Sequence, residues 1–195
     1  MARPGPERPS RNARPTARGA RAPASVALAL ALSLGLAPVP APAAPDGAPL
    51  AGLALDGPAG PVALDDYLGG WTYVDFYASW CVPCRASFPF MDALAERHAD
   101  DGLAVLAIGL DEDPADARAF AERLAPRFDV AFDPAGASAE AMDLKGMPSS
   151  YLLAPDGRVV WSHVGFRRAD ADGIARAVAD AIGAGAFADA DGDDR

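Results

Sequence analysis

The sequence predicts an α/β fold, a sheet covered on both faces, and three observations carry that prediction. Strand-type and helix-type segments alternate over about 150 residues, one domain's worth, and close on a hairpin and a helix. Leu103–Gly109 is a continuous apolar run of strand length, the type buried on both faces of a sheet. Trp71–Tyr77, rich in β-branched and aromatic residues, leads into Ala86–Ala99, where Phe90, Met91, Leu94 and Ala95 fall at helical spacing.

The first 43 residues lie outside that pattern. Met1–Arg21 carries six arginines, one glutamate and many prolines. Ala24–Ala37 is an apolar block of 14 residues between Pro23 and Pro38, and Ala41-Pro42-Ala43 gives a small-x-small cleavage pattern. A basic stretch, a short apolar stretch and a small-residue site describe a secretory signal peptide over residues 1–43. The block is short for a bilayer span, which needs about 20 residues, so an uncleaved membrane anchor is the second reading. No cysteine lies there, which excludes lipid attachment of the bacterial lipoprotein kind. Export to the periplasm, with the mature chain beginning at Ala44, is expected.

The whole chain has 17 basic and 27 acidic residues. Without residues 1–43 the counts become 11 and 26, a net charge near −15. Such acidity argues against nucleic acid or anionic lipid as a partner.

Residues 44–49 read as a linker, 50–184 as the folded domain and 185–195 as an acidic, disordered tail. Leu50–Leu55 and Pro61–Leu64 are expected as short strands around the turn Asp56-Gly57-Pro58, and Leu68-Gly69-Gly70 leads to the central strand. After the strand at 103–109, Asp113 at the N-cap and Pro114 at the first position open a helix through Leu124. A short strand at Phe128–Phe132 and a brief helix at Ser138–Leu144 follow. Ser150–Leu153 and Val159–Val164 form a hairpin around Pro155-Asp156-Gly157, and a last helix covers Asp170–Ile182, with Ile174, Val178 and Ile182 at four-residue steps.

The chemistry is concentrated in Trp80-Cys81-Val82-Pro83-Cys84-Arg85, which holds the only two cysteines of the chain. The pair sits where a strand feeds the first turn of a helix, so orphan backbone N–H groups and the helix dipole favour a thiolate. Two intervening residues bring the sulfurs close enough to close a small disulfide ring. Pro83 has its φ preset and no N–H to lose, which suits the first turn. Cys81 is expected as the exposed nucleophile and Cys84, one turn in, as the partly buried resolving thiol. Half of a zinc site is an alternative, but structural zinc takes four ligands, no second cysteine pair exists, and His98 and His163 lie far apart. A purely structural disulfide is another, yet so small a loop constrains the unfolded chain little. Redox catalysis fits the residue types better.

Val74–Arg85 resembles the active-site region of the thioredoxin superfamily, and more closely that of the exported TlpA/ResA-like thiol-disulfide oxidoreductases. Lys145-Gly146-Met147-Pro148-Ser149-Ser150-Tyr151-Leu152 is similar to the family's loop and strand with a cis-proline, and Gly157–Phe166 to its returning strand and following glycine. Residues 103–144 resemble the central αβ insertion of the TlpA-like group. The resemblance covers about residues 48–184 and implies a thioredoxin-like fold, a central mixed sheet flanked by helices, carrying that insertion. It implies Cys81, Cys84, Asp75 and Pro148 as catalytic residues, with Trp80, Val82, Pro83 and Met147 against the substrate. No cofactor beyond a redox-active Cys81–Cys84 disulfide and no metal is implied. Asp75, apolar on both sides, is expected to be buried, with a raised pKa, and to exchange a proton with Cys84 directly or through water. His163 reads as a structural histidine. The sequence departs from many relatives in having no acidic residue in Ala86-Ser87-Phe88-Pro89, and Asp111, Glu112 and Asp113 follow the inserted strand.

The expected activity is reduction of disulfides in periplasmic proteins by a monomer, re-reduced by a membrane electron donor of the DsbD-like type. A reducing couple is expected because Val82-Pro83 supplies no cation to the Cys81 thiolate, and an ionised Asp75 disfavours that thiolate. Two further readings stay open: a protein-thiol oxidant, and a copper-handling protein using Cys81, Cys84 and His163. A thiol peroxidase lacks its threonine-containing motif here.

Overall fold

The computed structural model describes residues 47–190, and of residues 185–190 only the backbone. The expected signal peptide and residues 44–46 of the linker lie outside the described residues. In chain order the strands and helices are β1 (Ala54–Gly57), β2 (Gly60–Ala63), β3 (Thr72–Tyr77), α1 (Val82–Arg97), β4 (Ala104–Gly109), α2 (Pro114–Leu124), β5 (Asp129–Phe132), α3 (Ala137–Ala141), β6 (Ser149–Leu153), β7 (Val159–Val164) and α4 (Ala171–Ala190). They form one seven-stranded mixed sheet in the order β2-β1-β5-β4-β3-β6-β7. β3, β4 and β5 run parallel, while β6 is antiparallel to β3, and β7 to β6. This is the thioredoxin-like fold expected from the sequence.

The two faces are covered differently. Tyr73, Tyr77 and Ala107 point toward Phe88, Met91 and Leu94 of α1, Ala117 and Phe120 of α2, and Ile174 and Val178 of α4. Val74, Phe76, Leu106 and Ile108 point the other way. There they meet Leu50, Leu64 of a 3-10 turn (Leu64–Tyr67), and Met142 just after α3. The three long helices therefore share one face, and shorter apolar segments close the other. β3 and β4 are buried throughout except at Ala104, as the apolar run of β4 requires of a strand covered on both faces.

Several boundaries differ from the expected ones. The first strand begins at Ala54, because Leu50 lies in a buried turn, and the hairpin turns on Pro58-Ala59 between paired Gly57 and Gly60. A side chain at Gly57 would lie 2.6 Å from Val62 and 2.7 Å from the Gly60 carbonyl, so the hairpin closes only on a glycine. The last helix does not stop at Ile182. It runs to Ala190, so residues 185–190, assigned to a disordered tail, are helical backbone. Alanine-rich sequence without proline lets a helix propagate where charge alone reads as disorder. α3 ends at Ala141 rather than Leu144, since Asp143 takes a positive φ of 51°.

Candidate active site

The dithiol is built by the end of β3 and the start of α1. Cys81 is the N-cap of α1, and its Sγ accepts a hydrogen bond from the Cys84 amide at 3.3 Å. Pro83 lies in the first turn, where its missing N–H costs nothing. The two cysteines form a disulfide with Cα atoms 5.3 Å apart. Cys84 is fully buried, and Cys81 is only 5 % exposed in this oxidised form. Cys84 is the more buried of the two, as expected, but Cys81, expected to be exposed, is buried in this form. Trp80 and Val82 on either side carry the exposure instead, at 69 % and 80 %.

Beneath the dithiol, three rings lock the helices to the strand. Tyr77 packs 5.1 Å from Phe88 of α1 and 5.4 Å from Phe120 of α2, and those two rings are 5.3 Å apart. The Tyr77 hydroxyl donates to the Ala117 carbonyl at 3.1 Å. Gly109 permits this close approach, since a Cβ there would sit 2.7 Å from Ala117 and 2.9 Å from the Tyr77 ring.

Asp75 lies in the middle of β3, fully buried on the α1 side of the sheet. Burial pushes its carboxyl up to about 7, against the opposing effect of hydrogen bonds from Ser150 and Ser87. The Ser150 hydroxyl lies 2.6 Å from Oδ1 and the Ser87 hydroxyl 3.2 Å from Oδ2. β6 places Ser150 directly opposite Asp75 in the antiparallel register. The same register carries Pro148 to the end of the sheet from which the dithiol loop leaves, beyond the Phe76–Ser149 pair. The Met147–Pro148 peptide is cis. Met147 is half-buried against the cluster that holds both cysteines.

Two features were not legible beforehand. The buried carboxylate of Asp111, just past β4, accepts from the Ser79 amide at 2.9 Å and from the Ser79 hydroxyl at 2.5 Å. Ser79 lies in the turn closed by the Cys81 amide on the Ala78 carbonyl at 3.0 Å, so Asp111 clamps the turn that presents Trp80 and Cys81. Sequence shows three consecutive acids here but not which one turns inward. Asp111→Ala is expected to lose about 2 kcal/mol of stability, the scale of hydrogen bonds to a charged group, while Asp111→Asn, which keeps an acceptor, recovers most of it. Equal urea midpoints for Asp111→Ala and the parent protein would show that the turn does not depend on the carboxylate. The second feature is Ser87, whose hydroxyl also lies 2.9 Å from the Cys84 carbonyl oxygen.

Arg85 places its guanidinium 5.7 Å from the Phe120 ring centroid. His163 stacks on Trp161, and His98 is buried with Nδ1 2.7 Å from Asp101. Among the described residues no three His, Cys, Asp or Glu side chains gather as metal ligands. Among the described residues no helix is long and apolar enough to cross a membrane.

The family model described as Redoxin matches residues 38–181. A thiol-disulfide oxidoreductase ResA of Bacillus thuringiensis subsp. konkukian is 27 % identical over 99 residues, 51 % of this chain and 57 % of that protein. The chain thus spans little more than half the length of the curated relatives it matches. Among solved structures, a Chlorobium tepidum protein described provisionally as a thiol:disulfide interchange protein DsbE is 41 % identical, covering 67 % of this chain and 92 % of its own, with a TM-score of 0.65. The exposed lipoprotein thioredoxin of Streptococcus pneumoniae is 29 % identical, covering 66 % and 98 %, with a TM-score of 0.58.

Proposed function

The chain belongs to the Redoxin family, and from that premise we propose that it is an exported thiol-disulfide oxidoreductase that reduces disulfides of periplasmic proteins through Cys81 and Cys84. The observation that carries this reading is the cysteine pair capping α1, one thiol at the rim and one fully buried, on the helix whose Ser87 meets the buried Asp75. In the reduced enzyme the Cys81 thiolate attacks a substrate disulfide, forming a mixed disulfide and releasing one substrate thiolate. Cys84 gives its proton to Asp75, and its thiolate attacks Cys81 Sγ. The Cys81–Cys84 bond forms and the second substrate sulfur leaves as thiolate, so two electrons pass to the substrate. Exposed Trp80, Val82 and Pro83, with Met147 beside the cis peptide, offer an apolar rim to an unfolded or extended segment. A membrane donor of the DsbD-like type returns the electrons, and no cofactor beyond the dithiol takes part.

The direction follows from charge. No cation lies between the cysteines, and Arg85 is drawn over Phe120. Negative charge on Asp75 opposes a second negative charge on the dithiol. One observation favours the oxidant reading instead: the Cys84 amide aimed at Cys81 Sγ stabilises a thiolate. The reduction potential, measured by equilibration with dithiothreitol or glutathione, decides between them. A value below about −200 mV is expected, and one near the DsbA value of about −120 mV would overturn the reductase assignment.

A further inference from the structure

Among the described residues no cation is hydrogen-bonded or ion-paired to Asp75. Its own strand offers Tyr73, its β4 partner is Ala107, and α4 contributes the apolar Ile174 and Val178 to the same layer. The groups that answer it are Ser150 from β6 and Ser87 from α1, and Ser87 lies one turn on from Cys84, which titrates once the disulfide is reduced. Ser87 is the unusual one. Its oxygen lies within hydrogen-bond reach of two acceptors, Asp75 Oδ2 at 3.2 Å and the Cys84 carbonyl at 2.9 Å. A serine hydroxyl has a single proton and cannot donate to both at once.

The two protonation states of Asp75 resolve the conflict. When the carboxyl is protonated, its Oδ2–H donates to Ser87 Oγ, and Ser87 donates onward to the Cys84 carbonyl. When it is ionised, the Ser87 proton turns to Oδ2. A serine bonded back to the carbonyl three residues earlier in its helix gains little stability by it, so the bond to Cys84 alone does not account for a buried hydroxyl at this position. We propose that Ser87 is a positioning residue of the exchange reaction, a hydroxyl whose proton alternates between the Cys84 carbonyl and the Asp75 carboxylate and so keeps that acceptor ionised until it takes the proton of the Cys84 thiol.

This rests on the oxidoreductase reading and on Asp75 as acceptor in it. In the resolving step the proton of Cys84 Sγ–H passes to Asp75, directly or through one water. The Cys84 thiolate then attacks Cys81 Sγ. The bond from Cys81 to the substrate sulfur breaks, the Cys81–Cys84 bond forms, and the departing thiolate takes its proton from solvent. With Ser87 turned to Oδ2, the acceptor stays ionised at lower pH. Without the hydroxyl, fewer molecules hold a competent base at neutrality.

The experiment uses reduced protein and 5,5′-dithiobis(2-nitrobenzoate), whose thiolate absorbs light on release. Cys81 attack releases the first thiolate, and Cys84 resolution releases the second. The second rate is followed against pH in stopped flow. Ser87→Ala is expected to move the midpoint of that profile up by about one pH unit, the scale of one hydrogen bond to a carboxylate, and to slow release about fivefold at pH 7. Ser87→Thr, which keeps the hydroxyl, returns the profile to that of the parent. In an Asp75→Asn background Ser87→Ala has no further effect on the profile. A Ser87→Ala profile that overlays the parent's, one lowered equally at every pH, or one that still shifts in the Asp75→Asn background overturns the proposal while leaving the oxidoreductase reading intact. Absence of any second release from the parent protein defeats that reading, and the role of Ser87 with it.

Discussion

Cys81→Ser abolishes disulfide exchange, a loss on the order of 10³-fold or more, because no other thiol in the chain is placed to attack. Cys84→Ser gives a different result. Cys81 keeps its place at the N-cap of α1 and its contact with the helix amides, so it still attacks a substrate disulfide. The mixed disulfide then has no internal thiol to resolve it and accumulates as a covalent adduct. The check is non-reducing electrophoresis of each variant after incubation with a disulfide-bonded protein. Adducts formed by Cys81→Ser but not by Cys84→Ser would reverse the two roles. The burial of the pair makes that reversal costly, since Cys84 has no exposed surface through which to meet a substrate.

Asp75→Asn makes the protein more stable and less active. Burial raises the Asp75 carboxyl to about 7 from an ordinary 3.8, so the folded chain binds this proton more tightly than the unfolded chain does. The resulting stability is fully present below about pH 4 and is lost as pH rises through 7. By pH 8 the parent carries a buried charge answered only by two hydroxyls, a deficit of about 4 kcal/mol for a displacement of roughly three pH units. Asparagine removes that deficit and fits the site: its oxygen accepts from Ser150 and its amide donates to Ser87. Urea unfolding of the oxidised proteins should show the variant gaining over the parent between pH 5 and pH 8. Turnover at neutral pH should fall about a hundredfold through loss of the proton acceptor. Coincident stability curves together with unchanged turnover would reduce Asp75 to a packing residue.

Most of the fold was legible because its elements are local. β4 announces itself as an apolar run and β3 by its β-branched and aromatic residues, and α2 begins where Asp113 and Pro114 supply a cap and a preset φ, with the Asp113 carboxylate 2.9 Å from the Ala115 amide. Boundaries failed where a longer-range fact overruled the local one. Leu50 is apolar and buried yet is not in a strand, because it caps the second face of the sheet from a turn. α4 outran its apolar pattern because its alanines favour helix and no proline stops it, although Gly183 and Gly185 lie in its path.

Within the site, sequence by itself determined the cysteine pair, its place at a helix start and the acid in the strand before it, since each rests on spacing of a few residues. Tertiary structure alone decided which groups answer that acid. Ser150 stands 75 residues from Asp75 in the chain and reaches it only through the β3–β6 register, and Asp111 reaches Ser79 across 32 residues because β4 ends beside β3. A hydroxyl or carboxylate carries no mark in the sequence of the partner it will meet. The partner is fixed by strand pairing and by the burial that leaves a polar group no water to bond to, and both exist only once the chain has folded.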